Sequence, residues 1–237
     1  MSNKNDISAV SSKKENNDAQ SFKKVPFAVS EAYKNIRTNL ISAMGKQNKK
    51  AVVISSPNAS DGKSTTSINV AISLSQINKK VLLIDADAHR PTIHTKLKMH
   101  NNDGIMNVLS GVSTLDEAVQ QYNSRLDVLT MGPISQNAAE IFNDPSFDEL
   151  LDELNEKYDY ILLDTPPVNL ISDSLVIAQK VGGIIFVVRS GFTTREMLRR
   201  AVASAKQLDI NILGVILNGT DFSKNGYHKK YYGSYYN

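Results

Sequence analysis

The segment Ser56-Pro-Asn-Ala-Ser-Asp-Gly-Lys-Ser-Thr65 sets a lysine and two hydroxyls directly after a glycine. An apolar run, 51–55, precedes it and a helical pattern follows from 63. A loop between strand and helix turns successive backbone N–H groups towards phosphate oxygens. Ser60, Asp61, Gly62, Lys63, Ser64 and Thr65 are therefore expected to bind the phosphates of ATP. Lys63 can reach the β- and γ-phosphates, and the Ser64 hydroxyl can join the shell of a Mg²⁺ ion. Pro57 stands where such loops usually carry their first glycine, and Ser60 and Asp61 stand where glycine and glutamate are commoner.

Two further strand-like runs end in carboxylates. Val81-Leu-Leu-Ile-Asp-Ala-Asp87 closes on Asp85 and Asp87, and Ile161-Leu-Leu-Asp-Thr-Pro-Pro167 closes on Asp164. Side chains two apart on a strand share a face, so Asp85 and Asp87 converge if the extended backbone persists. A strand-terminal aspartate is the usual second carboxylate of a nucleotide site, holding water on the metal. Ser64, Asp85 and Asp164 are the expected metal residues. Three carboxylates beside one loop repel each other unless a cation is present, and a Mg²⁺–ATP complex supplies one.

The last eleven residues hold five tyrosines, Tyr227, Tyr231, Tyr232, Tyr235 and Tyr236, whereas the preceding 226 hold four. A phenol has a pKa near 10, so only about 0.1% is phenolate at neutral pH. Transfer of a phosphoryl group to tyrosine gains from a carboxylate that takes the proton, which makes Asp85 or Asp87 catalytic beside Lys63. The sequence leaves open which of the two takes the proton.

The elements that must position these groups follow an alternating pattern. Strands are expected at 51–55, 80–84, 126–130, 159–163, 183–188 and 210–217, with helices over 63–77, 147–157, 172–180 and 194–207. Runs apolar on both sides of the pleat, separated by helices, indicate an α/β fold: a mostly parallel twisted sheet with helices on both faces. Ligands in such sheets bind outside the carboxyl ends of the strands, where the motifs fall. Val29, Ala32, Tyr33, Ile36, Leu40 and Met44 recur at helical spacing, with Ser30 as the expected cap of a first helix. Residues 1–27 are too polar to offset their chain entropy and are expected to be disordered. The domain is placed at 28–221 and a flexible tail at 222–237. The chain of 237 residues has 41% hydrophobic content, no cysteine and a net charge of +3, too small to argue for nucleic acid. Absent cysteine excludes disulfides and thiolate metal sites. No run reaches the roughly 18–20 apolar residues of a membrane span, so a cytoplasmic protein is expected.

From about Glu31 onward the chain resembles the bacterial P-loop tyrosine kinases of capsule and exopolysaccharide operons. The resemblance rests on the phosphate loop, the Asp-x-Asp strand, the Asp-Thr-Pro-Pro strand, the helix Glu31–Leu40, Pro91 and His94, the strand end Val215–Asn218 and the tyrosine tail. It implies a deviant P-loop ATPase-like fold, ATP with Mg²⁺ as cofactors, and autophosphorylation of the tail. It also implies protein tyrosine substrates and a role in capsular or exopolysaccharide synthesis. Glu31, Lys34 and Arg37 would make the subunit contacts of a ring, and a separate membrane-anchored activator would recruit the protein to the inner face of the cell membrane. Asn218, by likeness to related ATPases, would contact the adenine. His89, followed by Arg90, stands where the family has arginine, and Lys34 replaces another. Two other readings remain. A nucleotide-switched positioning ATPase would usually carry a lysine where Asn58 stands and would lack the tail. A nucleotide-binding regulator without catalysis would fit His89.

Overall fold

The computed structural model describes residues 27–45, 49–133 and 138–220. The expected N-terminal segment and the tyrosine tail therefore lie outside the described residues, apart from Phe27.

Helix α1 (Phe27–Gly45) leads into β1 (Ala51–Ser55), α2 (Lys63–Ser75) and β2 (Val81–Asp85). Three short helices follow: α3 (Ile93–Leu97), α4 (Ile105–Leu109) and α5 (Leu115–Ala118). Then come β3 (Val119–Asn123), β4 (Leu126–Leu129), α6 (Ala138–Asn143) and α7 (Pro145–Lys157). The last elements are β5 (Tyr160–Asp164), α8 (Asp173–Lys180), β6 (Ile184–Arg189), α9 (Arg195–Gln207) and β7 (Ile212–Asn218). Ser30 lies inside the first helix rather than capping it, since helical backbone is present from Phe27.

The strands form one sheet in the order β3-β4-β2-β5-β1-β6-β7, parallel except for β3 against β4. Successive residues of the central strands alternate between two cores. Val53, Leu82, Ile84, Ile161 and Leu163 pack with α7, α8 and α9, whereas Val52, Ile54, Val81, Leu83 and Leu162 pack with α1 and α2. Burial on both sides of the pleat is why these strands read as unbroken apolar runs.

The topology decides where the chemistry meets. β5 lies between β1 and β2, with Asp85 in register with Asp164 and Ile54 also paired to Asp164. The loop after β1 and the acidic ends of β2 and β5 therefore open onto the same carboxyl edge of the sheet. Crevices at that edge, where neighbouring connections diverge, are where open α/β sheets hold ligands.

Candidate active site

The phosphate loop is pinned before it meets any ligand. Ser60 and Gly62 adopt left-handed backbone, with φ of 69° and 95°. Asn218, at the end of β7, donates its side-chain amide to the carbonyl of Asp61 at 2.9 Å. A Cβ on Gly62 would lie 2.0 Å from that same Asn218 nitrogen, so glycine is required here on two counts. The Asp61 side chain is fully buried. One of its oxygens accepts the Asn58 N–H at 3.0 Å and the other accepts the Thr193 hydroxyl at 2.6 Å. Within this loop the Asp61 side chain is a brace. Nothing in the sequence pattern points to Thr193, which reaches the loop across 132 positions.

Lys63, the first residue of α2, sits among the carboxylates. Its ammonium is 2.8 Å from Asp87 and 3.5 Å from Asp164, and 3.3 Å from the Ser64 hydroxyl. Burial works against that charge, but Asp164 and Asp87 outweigh it and hold Lys63 above the ordinary lysine value. Asp164 is fully buried, and burial raises its carboxyl pKa against the opposing pull of Lys63, Ser64 and Ser67. One Asp164 oxygen accepts the Ser67 hydroxyl at 3.0 Å. The other, Oδ2, is buried without a hydrogen-bond partner.

Asp85 and Asp87 part company. The strand ends at Asp85, so the extended path that would align them stops there. Both Asp85 oxygens turn to backbone: Oδ1 accepts the Asp87 N–H at 3.2 Å, and Oδ2 accepts the Thr92 and Ile93 N–H groups at 3.0 Å each. Burial, then the neighbouring Asp164 charge, push the Asp85 carboxyl up to about 7, against those N–H donors. Asp87 instead faces a cleft of about 340 Å³ that runs from the phosphate loop past His89, Arg90 and Lys96. Pro167, Leu170 and Ile171 form its apolar wall. Asp87 Oδ1 accepts the Arg90 N–H at 2.9 Å, leaving Oδ2 on Lys63.

These groups fit Mg²⁺ bound with a nucleotide. Mg²⁺ keeps most of its waters and takes one or two protein ligands plus phosphate. Accordingly, no cluster of three acidic or histidine side chains among the described residues is arranged to hold a metal alone. Ser64 Oγ and Asp164 Oδ2, which has no hydrogen-bond partner but stands 3.5 Å from the Lys63 ammonium, are the oxygens suited to the ion and its water.

The other expected residues lie at the rim of this centre or away from it. His89 Nε2 lies 3.2 Å from Asp173 at the start of α8, tying the turn after β2 to the turn after β5. Glu31 and Lys34 pair with each other at 2.7 Å on the exposed face of α1. Arg37 reaches inward instead, donating to the Ser73 carbonyl of α2 at 2.8 Å. A second groove, about 400 Å³, lies between α1 and β7 and contains none of the loop residues or aspartates. No helix among the described residues is long and apolar enough to cross a membrane.

A family model described as an AAA domain matches residues 49–195. The tyrosine-protein kinase YwqD of Bacillus subtilis (strain 168) is 39% identical over 206 residues, covering 86% of each chain. The tyrosine-protein kinase CpsD of Streptococcus agalactiae is 34% identical over 207 residues, 86% of this chain and 89% of its own. Among solved structures, the kinase domain of the Escherichia coli tyrosine kinase ETK superposes with a TM-score of 0.78 at 31% identity. That match covers 81% of this chain and 75% of the other. These relatives are matched over most of their own length and share the fold, and the chain belongs to the bacterial P-loop tyrosine-protein kinase family.

Proposed function

We propose that this protein transfers the γ-phosphoryl group of ATP to tyrosine hydroxyls, its own C-terminal cluster Tyr227, Tyr231, Tyr232, Tyr235 and Tyr236 among them. One observation carries the reading: Lys63 bridges Asp87 and Asp164 directly over a phosphate loop. The loop N–H groups and Lys63 hold the triphosphate, and Ser64 with Asp164 holds the Mg²⁺ complex. Held by those residues, Mg²⁺ would supply positive charge against the negative charge developing in phosphoryl transfer. Asp85 adds charge near the ion while organising the following turn. Asp87 is the aspartate of the pair that lines the cleft, so it is assigned as the proton acceptor. The phenol oxygen forms a bond to the γ-phosphorus, the bond to the ADP oxygen breaks, and the phenol proton passes to Asp87. Lys63 occupies Asp87 Oδ2 while the two are paired. A phosphate that draws Lys63 away frees that oxygen, so nucleotide binding and activation of the base are coupled. The apolar wall of Pro167, Leu170 and Ile171 suits a phenol ring.

The wider role rests on resemblance: control of capsular or exopolysaccharide synthesis, with a membrane-anchored activator recruiting a cytoplasmic kinase. Purified protein incubated with ATP and Mg²⁺, with and without a candidate activator, should acquire phosphotyrosine. Lys63→Met removes the charge but little packing, and should abolish the signal in a protein that still melts cooperatively. Wild-type phosphotyrosine in folded Lys63→Met would sink the site assignment.

A further inference from the structure

The cleft holds a cation that neither the motifs nor the proton-transfer chemistry employs. Lys96 lies on α3, the short helix that follows the Asp85–Asp87 turn. Its ammonium donates to the Thr65 hydroxyl at 3.2 Å. Thr65 is the third residue of α2, so its N–H belongs to the helix start that faces phosphate. Among the described residues Lys96 forms no ion pair, and its only side-chain partner is that neutral hydroxyl. The placement is built rather than incidental. Asp85 Oδ2 accepts the Thr92 and Ile93 N–H groups at the start of α3, Ile93 is fully buried, and the Lys96 N–H bonds back to the Thr92 carbonyl at 3.1 Å. Asp85 thus fixes the helix that carries Lys96 over the loop. The Thr65 carbonyl is held in turn by Asn69 at 2.7 Å.

We propose that Lys96 is a nucleotide-binding residue, a second ammonium that engages the non-transferred phosphates of the nucleotide beside Thr65. The proposal rests on the nucleotide site described above. Lys63 reaches the β/γ end of the chain, while N–H groups further along the helix start face the α/β end. An uncompensated ammonium there adds charge-assisted hydrogen bonds to phosphate. Because its side chain bonds to Thr65 and not to Asp87, Lys96 contributes to affinity for ADP and ATP alike.

Calorimetric titration of Lys96→Gln, Lys96→Arg and wild type with ADP and with ATP, each with Mg²⁺, tests this. Lys96→Gln should raise both dissociation constants about tenfold, as loss of an exposed charge-assisted contact does. Lys96→Arg should restore most of the loss, and the gap should narrow as salt is raised. Unchanged dissociation constants in Lys96→Gln, with binding still abolished by Lys63→Met, would overturn the Lys96 assignment and leave the site standing. A loss confined to ATP, or one that appears only in kcat, would overturn it too. Failure of wild type to bind either nucleotide would instead remove the site reading itself.

Discussion

At the scale of single residues, one ammonium stands 2.8 Å and 3.5 Å from two carboxylates at the carboxyl edge of the sheet. Lys63, Asp87 and Asp164 were marked by glycine-lysine-serine after a strand and by carboxylates ending apolar runs, signals that survive in one dimension. The sequence left Asp85 and Asp87 interchangeable, because strand alternation assumes a backbone that continues. It does not: the turn after Asp85 brings three N–H groups onto that carboxylate. Asp61 read as a phosphate residue and proves to brace the loop through Thr193, a contact with no local signal. Asp85 carries a testable electrostatic consequence. Its carboxyl would titrate near 3.8 in the unfolded chain but at about 7 in the fold, through burial and the Asp164 charge. The fold thus binds that proton more tightly than the unfolded chain does. The associated stability is fully present below about pH 3.8 and is lost as pH rises through about 7. Without Mg²⁺ and nucleotide, melting temperature should therefore fall between about pH 5 and 8, and Asp85→Asn should flatten that fall. Calorimetric melts of both proteins across that range check it, and parallel curves would show that Asp85 does not titrate there.

At the scale of elements, the central strands were legible because burial on both faces leaves long apolar runs with little ambiguity. The run expected at 80–84 is β2 at Val81–Asp85, and that at 159–163 is β5 at Tyr160–Asp164. What escaped notice lacks such a signal. β3 (Val119–Asn123) is the antiparallel edge strand, with the sequence Val-Gln-Gln-Tyr-Asn and no apolar alternation. Helices α3, α4 and α5 span only four or five residues each, too short for a 3.6-residue period to declare itself. Yet α3 carries Lys96, and the turn between β6 and α9 carries Thr193, so unremarkable connections supply the loop's support. That turn is itself anchored: the Thr193 hydroxyl accepts the Arg189 N–H at 2.8 Å while donating to Asp61. Thr193→Val keeps the shape and removes both roles, leaving a buried carboxylate oxygen without its donor. The expected cost is about 1–3 kcal/mol of stability, with weaker ATP binding as the loop loosens. Denaturant melts and nucleotide titration of the variant measure both, and a stable variant with undiminished affinity would show that the loop holds its shape without this brace.

At the scale of the whole molecule, the open question is how the tail meets the cleft. Residues 222–237 contain Lys224, Lys229 and Lys230 and no acidic side chain, so the segment carries about +3 before modification. A basic segment is drawn towards a site that gathers carboxylates and phosphates. By resemblance to the family, it would enter a neighbouring subunit of a ring, with the Glu31–Lys34 pair on α1 at the contact. Arg37 is the exception within that trio, since it is spent on the Ser73 carbonyl and holds α1 to α2. Each phosphate adds roughly −1.5 to −2 charges, so five would add about −8 to −10 and reverse the sign of the tail. Under the proposed function, a tail turned anionic would be repelled by Asp87 and Asp164, which would make phosphorylation self-limiting and loosen such an assembly. Two outcomes follow. Light scattering should give a larger mass for Lys63→Met, or for the five-fold Tyr→Phe tail variant, than for the phosphorylated wild type. Mixing wild type with Lys63→Met should place phosphotyrosine on the Lys63→Met chains, at a rate that rises with protein concentration. Equal masses in both states, together with labelling that ignores concentration, would leave a kinase that acts only on the tail of its own chain.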